Sequence, residues 1–305
     1  MKIVKVWRTL CGILLCGLIF CSSLGAQQVK KTLLNVGSYY EENITEVDGR
    51  DVSAALAVWA KEIGDQYGFE VKTSLYISME QLAEDFINKK IDFVTIPTLK
   101  YVMFASAFKV TPELANVRNN RITTRYLLVV NKSNRNNALT DLKNKRLAIR
   151  KNNALGRMFL DVELMKSKLP RSDRLFAAIQ ESTKENQAAL AVFFGQADAC
   201  IITDACFGTM VELNPQVGRQ LKVMKTSPEF VEMVAFFNKD YPPQYKERSM
   251  EGLVNGVRES KRLNQFRLLF NTEGLKAITS EELDTVRTLF ADYNRLNGEN
   301  KKQHH

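Results

Sequence analysis

A chain of 305 residues, 45% hydrophobic and without biased segments, is long enough for one large domain or two modest ones and too ordinary for a disordered or fibrous protein. Its 43 Lys and Arg against 34 Asp and Glu give a net charge of +9, spread along the sequence rather than gathered into basic stripes, which argues against a nucleic-acid partner. The only histidines are His304 and His305, so no Ser-His-Asp triad, Cys-His pair or histidine-based zinc site is available, and no metal or cofactor is expected.

Lys2, Lys5 and Arg8 precede an apolar run from Leu10 to about Ser22, followed by the small-residue zone Ser23–Gln27. This is the plan of a secretory signal peptide over residues 1–26, too short for a comfortable membrane span. Cleavage is expected after Gly25 or Ala26; lipidation at Cys21 is the alternative, which bulky Phe20 disfavours. The remaining chain, about 279 residues at net +6, is expected to be exported to the periplasm, soluble and monomeric. Three of the five cysteines lie in the signal, and Cys200 and Cys206 are expected as free thiols because a strand leading away from them seldom leaves two such residues in bridging range.

Thr32–Gly37 reads as the first strand, followed by Ser38, Tyr39 and Tyr40. Val52, Ala55, Leu56, Trp59 and Ile63 recur at helical spacing, with Gly68 as the stop. Phe69–Leu75 is a second strand, and Ser78–Gln81 a capping box that opens a helix. Ile91–Ile96 is a third strand, leading into a helix over Tyr101–Phe108. Arg125–Asn131 is strongly β-forming. After it the pattern restarts, with Leu142–Arg150, the turn Asn152-Asn153-Ala154-Leu155-Gly156, a helix through Lys168, and a strand over Leu175–Ile179. Leu221–Val223 and Phe230–Phe237 return as strands. From Pro242 the pattern is helical, mainly Lys246–Phe270 and Ser280–Leu296.

Two stretches offset by 106 positions repeat one device. Gln81 to Thr98 and Gln187 to Asp204 each give an apolar-striped helix, a tight break, an Asp (Asp92 or Asp198), an apolar strand and a small polar residue at its end. A fully apolar strand fed by a helix belongs in a parallel sheet covered on both faces, and ligands bind beyond the carboxyl ends of such strands. Two copies imply two lobes around one cleft. Asp92 and Asp198 themselves read as turn formers.

The motifs Lys90-Ile-Asp92 through Tyr101, Leu142 through Ile149, Gly195-Gln-Ala-Asp198-Ala and Asn214-Pro215 through Pro228 resemble those of periplasmic solute-binding proteins of the phosphonate/phosphate/phosphite ABC-transporter family. The likeness runs from about Leu33 to Leu296. It implies an α/β, two-lobed type II periplasmic-binding-protein fold, each lobe a mainly parallel sheet flanked by helices. Lobe 1 would comprise residues 27–126 and 238–305 and lobe 2 residues 127–237, with Arg125–Asn131 and Val231–Asn238 as hinge strands. The ligand contacts it implies are Tyr39, Tyr40, Thr98, Tyr101, Asn152, Asn153, Ala154, Leu155, Gly156 and Asp204. In the family the turn corresponding to Asn152–Gly156 is rich in Ser and Thr that hold an anion; here backbone N–H groups and two amides remain, and Lys151 or Arg157 are the nearest cations. The implied function is capture of a small anionic solute for a membrane permease. The same fold reporting ligand to a membrane sensor kinase is the alternative, while an enzyme using Asp204 or Glu185 as base lacks paired carboxylates and metal spacing.

Overall fold

The computed structural model describes residues 32–40, 49–134 and 137–302. The expected signal segment with Cys21 and both histidines lie outside the described residues.

The first sheet grows from local pattern. Helix α1 (Gly49–Tyr67) turns Val52, Leu56, Trp59, Ala60 and Ile63 inward, and Gly68 ends it at φ +76°. Strand β1 (Thr32–Tyr39) pairs in parallel with β3 (Phe93–Pro97), Val36 against Phe93 and Ser38 against Thr95. With β2 (Phe69–Tyr76), β4 (Leu114–Val117), β12 (Met233–Phe237) and β13 (Gly274–Ala277) they form one sheet in the order β13-β4-β12-β3-β1-β2. One face is covered by Trp59, Ile63, Leu253 and Leu263; the other meets α2 (Met79–Ile87) and α3 (Thr98–Phe108) through Leu82, Phe86, Tyr101 and Phe108. Ser78 caps α2 by accepting from Gln81 N at 3.2 Å.

The second sheet, in the order β10-β6-β9-β7-β8, contains β6 (Tyr126–Asn131), β7 (Arg146–Arg150), β8 (Ala178–Ser182), β9 (Ala199–Thr203) and β10 (Leu221–Thr226). Strands β7, β8 and β9 run parallel, while β6 and β10 are antiparallel additions. Helices α4 (Ala154–Lys166), α5 (Ser172–Leu175), α6 (Glu185–Phe193), α7 (Asp204–Leu213) and α8 (Pro215–Gln220) complete this lobe. Between the sheets, β5 (Thr123–Thr124) and β11 (Phe230–Val231) pair as a two-stranded ribbon. The architecture is the two-lobed α/β fold of type II periplasmic binding proteins, with each parallel core extended by antiparallel strands.

The internal repeat holds at atomic level. Lys89 (φ +60°) and Gly195 (φ +72°) occupy the same left-handed break after their helices. Asp92 Oδ2 accepts from Asn35 N at 2.8 Å, and Asp198 Oδ2 from Arg146 N at 2.8 Å, so each Asp ties its loop to the neighbouring strand. Lysine at a position where glycine is at ease shows that the loop geometry, not the residue, is what repeats.

Several boundaries shift. Met233–Phe237 lies in the first sheet, antiparallel to β3, rather than in the second lobe, because its apolar residues complete the Phe93 and Phe236 cores. The passage between sheets falls at the β5–β11 ribbon; Arg125–Asn131 and Val231–Asn238 mostly form ordinary sheet strands, β6 and β12. Leu175 ends a helical turn and the strand begins at Ala178. The helical stretch expected over Lys246–Phe270 is broken by a wide turn at Gly252–Gly256 and a tight one at Lys261–Leu263, and β13 adds an edge strand after it.

Candidate functional site

The carboxyl ends of β3, β7 and β9, with the ribbon between the sheets, assemble a polar cluster. Thr98 opens α3 with its side chain fully buried and its N–H donating to Glu232 O at 2.9 Å; its Oγ1 has no hydrogen-bond partner. Arg150, the last residue of β7, has a buried Nε without a hydrogen bond, 3.9 Å from Glu185 Oε1. Asn153, 4% exposed, caps α4 by accepting from Gly156 N at 3.0 Å, which leaves its Nδ2 buried and unpartnered. Thr203 at the end of β9 donates to Glu185 Oε2 at 2.6 Å and accepts from Cys206 N.

Tyr126 joins this cluster to the first lobe, donating to Glu232 Oε1 at 2.6 Å. Burial, then the Glu232 carboxylate, holds its phenol far above its ordinary value, with Glu185 adding to the rise and Arg150 opposing it. Arg118 Nη1 lies 3.6 Å from Glu232 Oε2. Burial followed by Glu185 pushes the Cys206 thiol up to about 11, and burial pushes Cys200 higher still. Both thiols are free, as expected, and both stay protonated and unreactive at neutral pH. Among the described residues no His, Cys, Asp and Glu group has the arrangement of a metal site.

The implied contacts fall into different places. Thr98 and Asn153 meet the cluster directly. Asn152 is the left-handed residue of the turn at φ +58°, Ala154 is exposed, and Leu155 is buried in the second-lobe core. Gly156 is required by space, since a Cβ there would sit 2.6 Å from Asn153 Oδ1 and 2.8 Å from Ile201 Cγ2. Asp204 pairs with Arg121 at 3.1 Å and bonds Ala205 N at 2.9 Å, so its carboxylate already has partners. Tyr101 is a correction: it is 5% exposed, packs edge-on to Phe236 and donates to Val110 O at 2.9 Å, which makes it a core residue. Tyr39 and Tyr40 line a separate first-lobe cavity, with Lys100 Nζ 5.4 Å above the Tyr39 ring.

Sequence reading missed Arg150, Glu232, Tyr126 and Arg118. Arg150 and Glu232 carried a signal: each is a charge directly beside buried apolar strand residues, where a charge seldom sits without a partner.

Residues 44–283 match the family described as ABC transporter, phosphonate, periplasmic substrate-binding protein. The chain belongs to that family. Its fold is shared by a binding protein component of an ABC phosphonate transporter from Pseudomonas aeruginosa, at 15% identity, TM-score 0.58 and 88% of each chain covered. PhnD1 from Prochlorococcus marinus, solved with methylphosphonate, is 18% identical with TM-score 0.58, over 87% of this chain and 98% of that one. A Xanthomonas citri protein solved with chloride is 13% identical with TM-score 0.59, over 88% and 99%. A comparison with curated proteins finds no match. As a member of this family of periplasmic substrate-binding proteins, the protein captures a small-molecule solute for the membrane permease of an ABC-type importer. No helix among the described residues is long and apolar enough to cross a membrane.

Proposed function

We propose that this phosphonate-family binding protein takes a small anionic ligand with a compact, monoanionic head such as a carboxylate, held between the N-terminal ends of α3 and α4. The observation that carries this reading is three buried polar groups without a hydrogen-bond partner, Thr98 Oγ1, Asn153 Nδ2 and Arg150 Nε, the last facing Glu185 only at ion-pair distance. All three can donate, two can only donate, and buried donors left unpaired are costly, so the occupant that relieves them is rich in acceptors. The α4 terminus adds the positive end of its dipole, while Ala154 N and Gly156 N already donate to Asn152 O and Asn153 Oδ1. Glu185 and Glu232 stand beside these donors and oppose a dianion. The turn's Ala154 and Leu155 supply no hydroxyl, so phosphate and simple phosphonates bind weakly.

The ligand draws the lobes together about the β5–β11 ribbon, with Thr98 on one side and Arg150 and Asn153 on the other. The protein binds and does not catalyse, acts as a monomer, and reaches the periplasm by a cleaved signal. It serves import rather than a sensor kinase, a point that neighbouring permease and ATPase genes support and an adjacent kinase gene opposes. The deciding experiment is native mass spectrometry of ligand retained on purification, followed by calorimetry of that ligand beside acetate, methylphosphonate and phosphate. Micromolar or tighter binding of methylphosphonate or phosphate overturns the head-group reading.

A further inference from the structure

We propose that Arg121 is a positioning residue for capture, a latch that holds the two lobes together before ligand arrives by pairing across them with Asp204. The proposal rests on the reading that the lobes close about the β5–β11 ribbon, and it is independent of the ligand's head group. Arg121 ends a tight turn after β4, in which Arg118 N donates to Arg121 O at 2.8 Å and Arg121 N to Arg118 O at 3.0 Å. Asn119 and Asn120 between them are left-handed, at φ +51° and +57°. This is the primed turn whose twist suits paired strands, and asparagine tolerates both positions. Asn120 N also donates to Glu273 Oε2 at 2.9 Å, next to β13, so the tip is fixed to the first lobe.

Asp204 is fixed to the second lobe. It opens α7 at the end of β9, its N–H donates to Arg125 O at 2.9 Å, and its Oδ1 accepts from Ala205 N at 2.9 Å. Its Oδ2 takes Arg121 Nη1 at 3.1 Å, while Arg121 Nη2 lies 3.4 Å from Glu229 Oε1 on the segment entering β11. Both backbones are held, so rotation about the ribbon must change the gap between Arg121 and Asp204. The Arg125–Glu229 pair, at 2.7 Å, differs. Phe230 pairs with Thr124, so Arg125 and Glu229 flank one end of the ribbon itself and stay together when the lobes turn. The side chains of Arg121 and Asp204 are 42% and 23% exposed, which makes their pair a bias rather than a lock. A bias toward closure still raises apparent affinity, because affinity scales with the fraction of protein already in the binding-competent form.

Small-angle scattering of the chain stripped of ligand tests this without knowing the ligand. Raising salt from about 0.01 M to about 1 M shortens the screening length from roughly 30 Å to roughly 3 Å, so the parent opens and its radius of gyration rises. Arg121→Gln is more open already at low salt, its open-to-closed ratio about 1.4- to fivefold above the parent's, and it responds less to salt. Asp204→Asn keeps an oxygen for Ala205 N and behaves the same way, and the double variant is no more open than either single one. Arg125→Gln removes an ion pair of similar exposure but leaves the latch, so it keeps the parent's radius and salt response. An Arg125→Gln chain as open as Arg121→Gln, or additive opening in the double variant, would overturn the proposal. Salt that expands the parent and Arg121→Gln alike would sink the latch and keep the hinge. A radius fixed in every variant and at every salt would sink both.

Discussion

Asn153 separates stability from binding, because its two amide atoms have different duties. Oδ1 caps α4 through Gly156 N, whereas Nδ2 is buried with no partner in the protein. Asn153→Ala removes the cap, a loss of about 1 kcal/mol, which lowers the melting temperature by roughly 2–4 °C in a chain of this size. It also removes the donor, so affinity for an anionic ligand falls by about 1.5–3 kcal/mol, or roughly 10- to 150-fold. Asn153→Asp keeps the capping oxygen and puts a negative charge at the start of α4, which helps by about 0.3–1 kcal/mol and is offset by burial of the second oxygen. Its stability therefore stays within about 1 kcal/mol of the parent. Its binding does not: the donor becomes a carboxylate oxygen facing an anion, and affinity drops further than in Asn153→Ala. Thermal melting ranks Ala lowest, whereas calorimetry with the ligand identified by mass spectrometry ranks Asp lowest. If Asn153→Asp binds that ligand as tightly as the parent, Nδ2 does not face it and the cleft assignment fails.

Other outcomes follow from the same geometry. Tyr101→Phe leaves Val110 O without its partner and costs about 1 kcal/mol of stability with no change in ligand affinity; a loss of affinity at unchanged melting temperature would return Tyr101 to the cleft. Gly156→Ala forces a methyl against Asn153 Oδ1 and Ile201, and should lower stability by about 1–3 kcal/mol in chemical denaturation. Burial opposes ionisation of Asp198, but hydrogen bonds from Arg146 outweigh it and hold the carboxyl below its ordinary value. Its stabilising effect is thus complete above the unfolded carboxylate value near pH 4 and lost as pH falls through the folded one. Asp198→Asn should flatten the fall of urea midpoints below pH 4, and an unchanged acid limb would refute the role.

The sequence was most legible where one physical demand ruled. Both helix–break–Asp–strand modules were readable because apolar periodicity, left-handed break and loop-tying Asp all act within eighteen residues. Tyr101 misled because a tyrosine after a strand end looks the same whether its hydroxyl meets a ligand or, as here, Val110 O across the helix. Strand β13 escaped because Gly274-Leu-Lys-Ala has only four residues and gains its place from β4, 157 positions or more away in sequence. The Thr98, Arg150 and Asn153 convergence was half visible. Strand-end positions could be located, but Arg150 meets Glu185 only through the packing of α6 on β7, and Tyr126 meets Glu232 only where the two lobes join. No local pattern encodes that.

The last helix, Asp284–Lys302, touches both lobes. Val286 and Leu289 are buried in the second-lobe cluster beside Leu155 and Phe159, while the helix also packs on α3; Thr285 Oγ1 donates to Glu229 O at 2.7 Å, and Lys166 holds Asp292 at 2.9 Å. The two chain crossings at the ribbon are therefore not the sole tie between the halves. Parting them must drag Leu289 across α4 and stretch the Lys166–Asp292 bridge, so the helix works as a tendon that limits how far the jaws gape. Such a restraint penalises wide opening more than slight opening, and it favours a ligand that slips through a narrow gap. Loosening the tendon far from the cleft, by Leu289→Ala, would speed both entry and escape without altering one contact to the ligand.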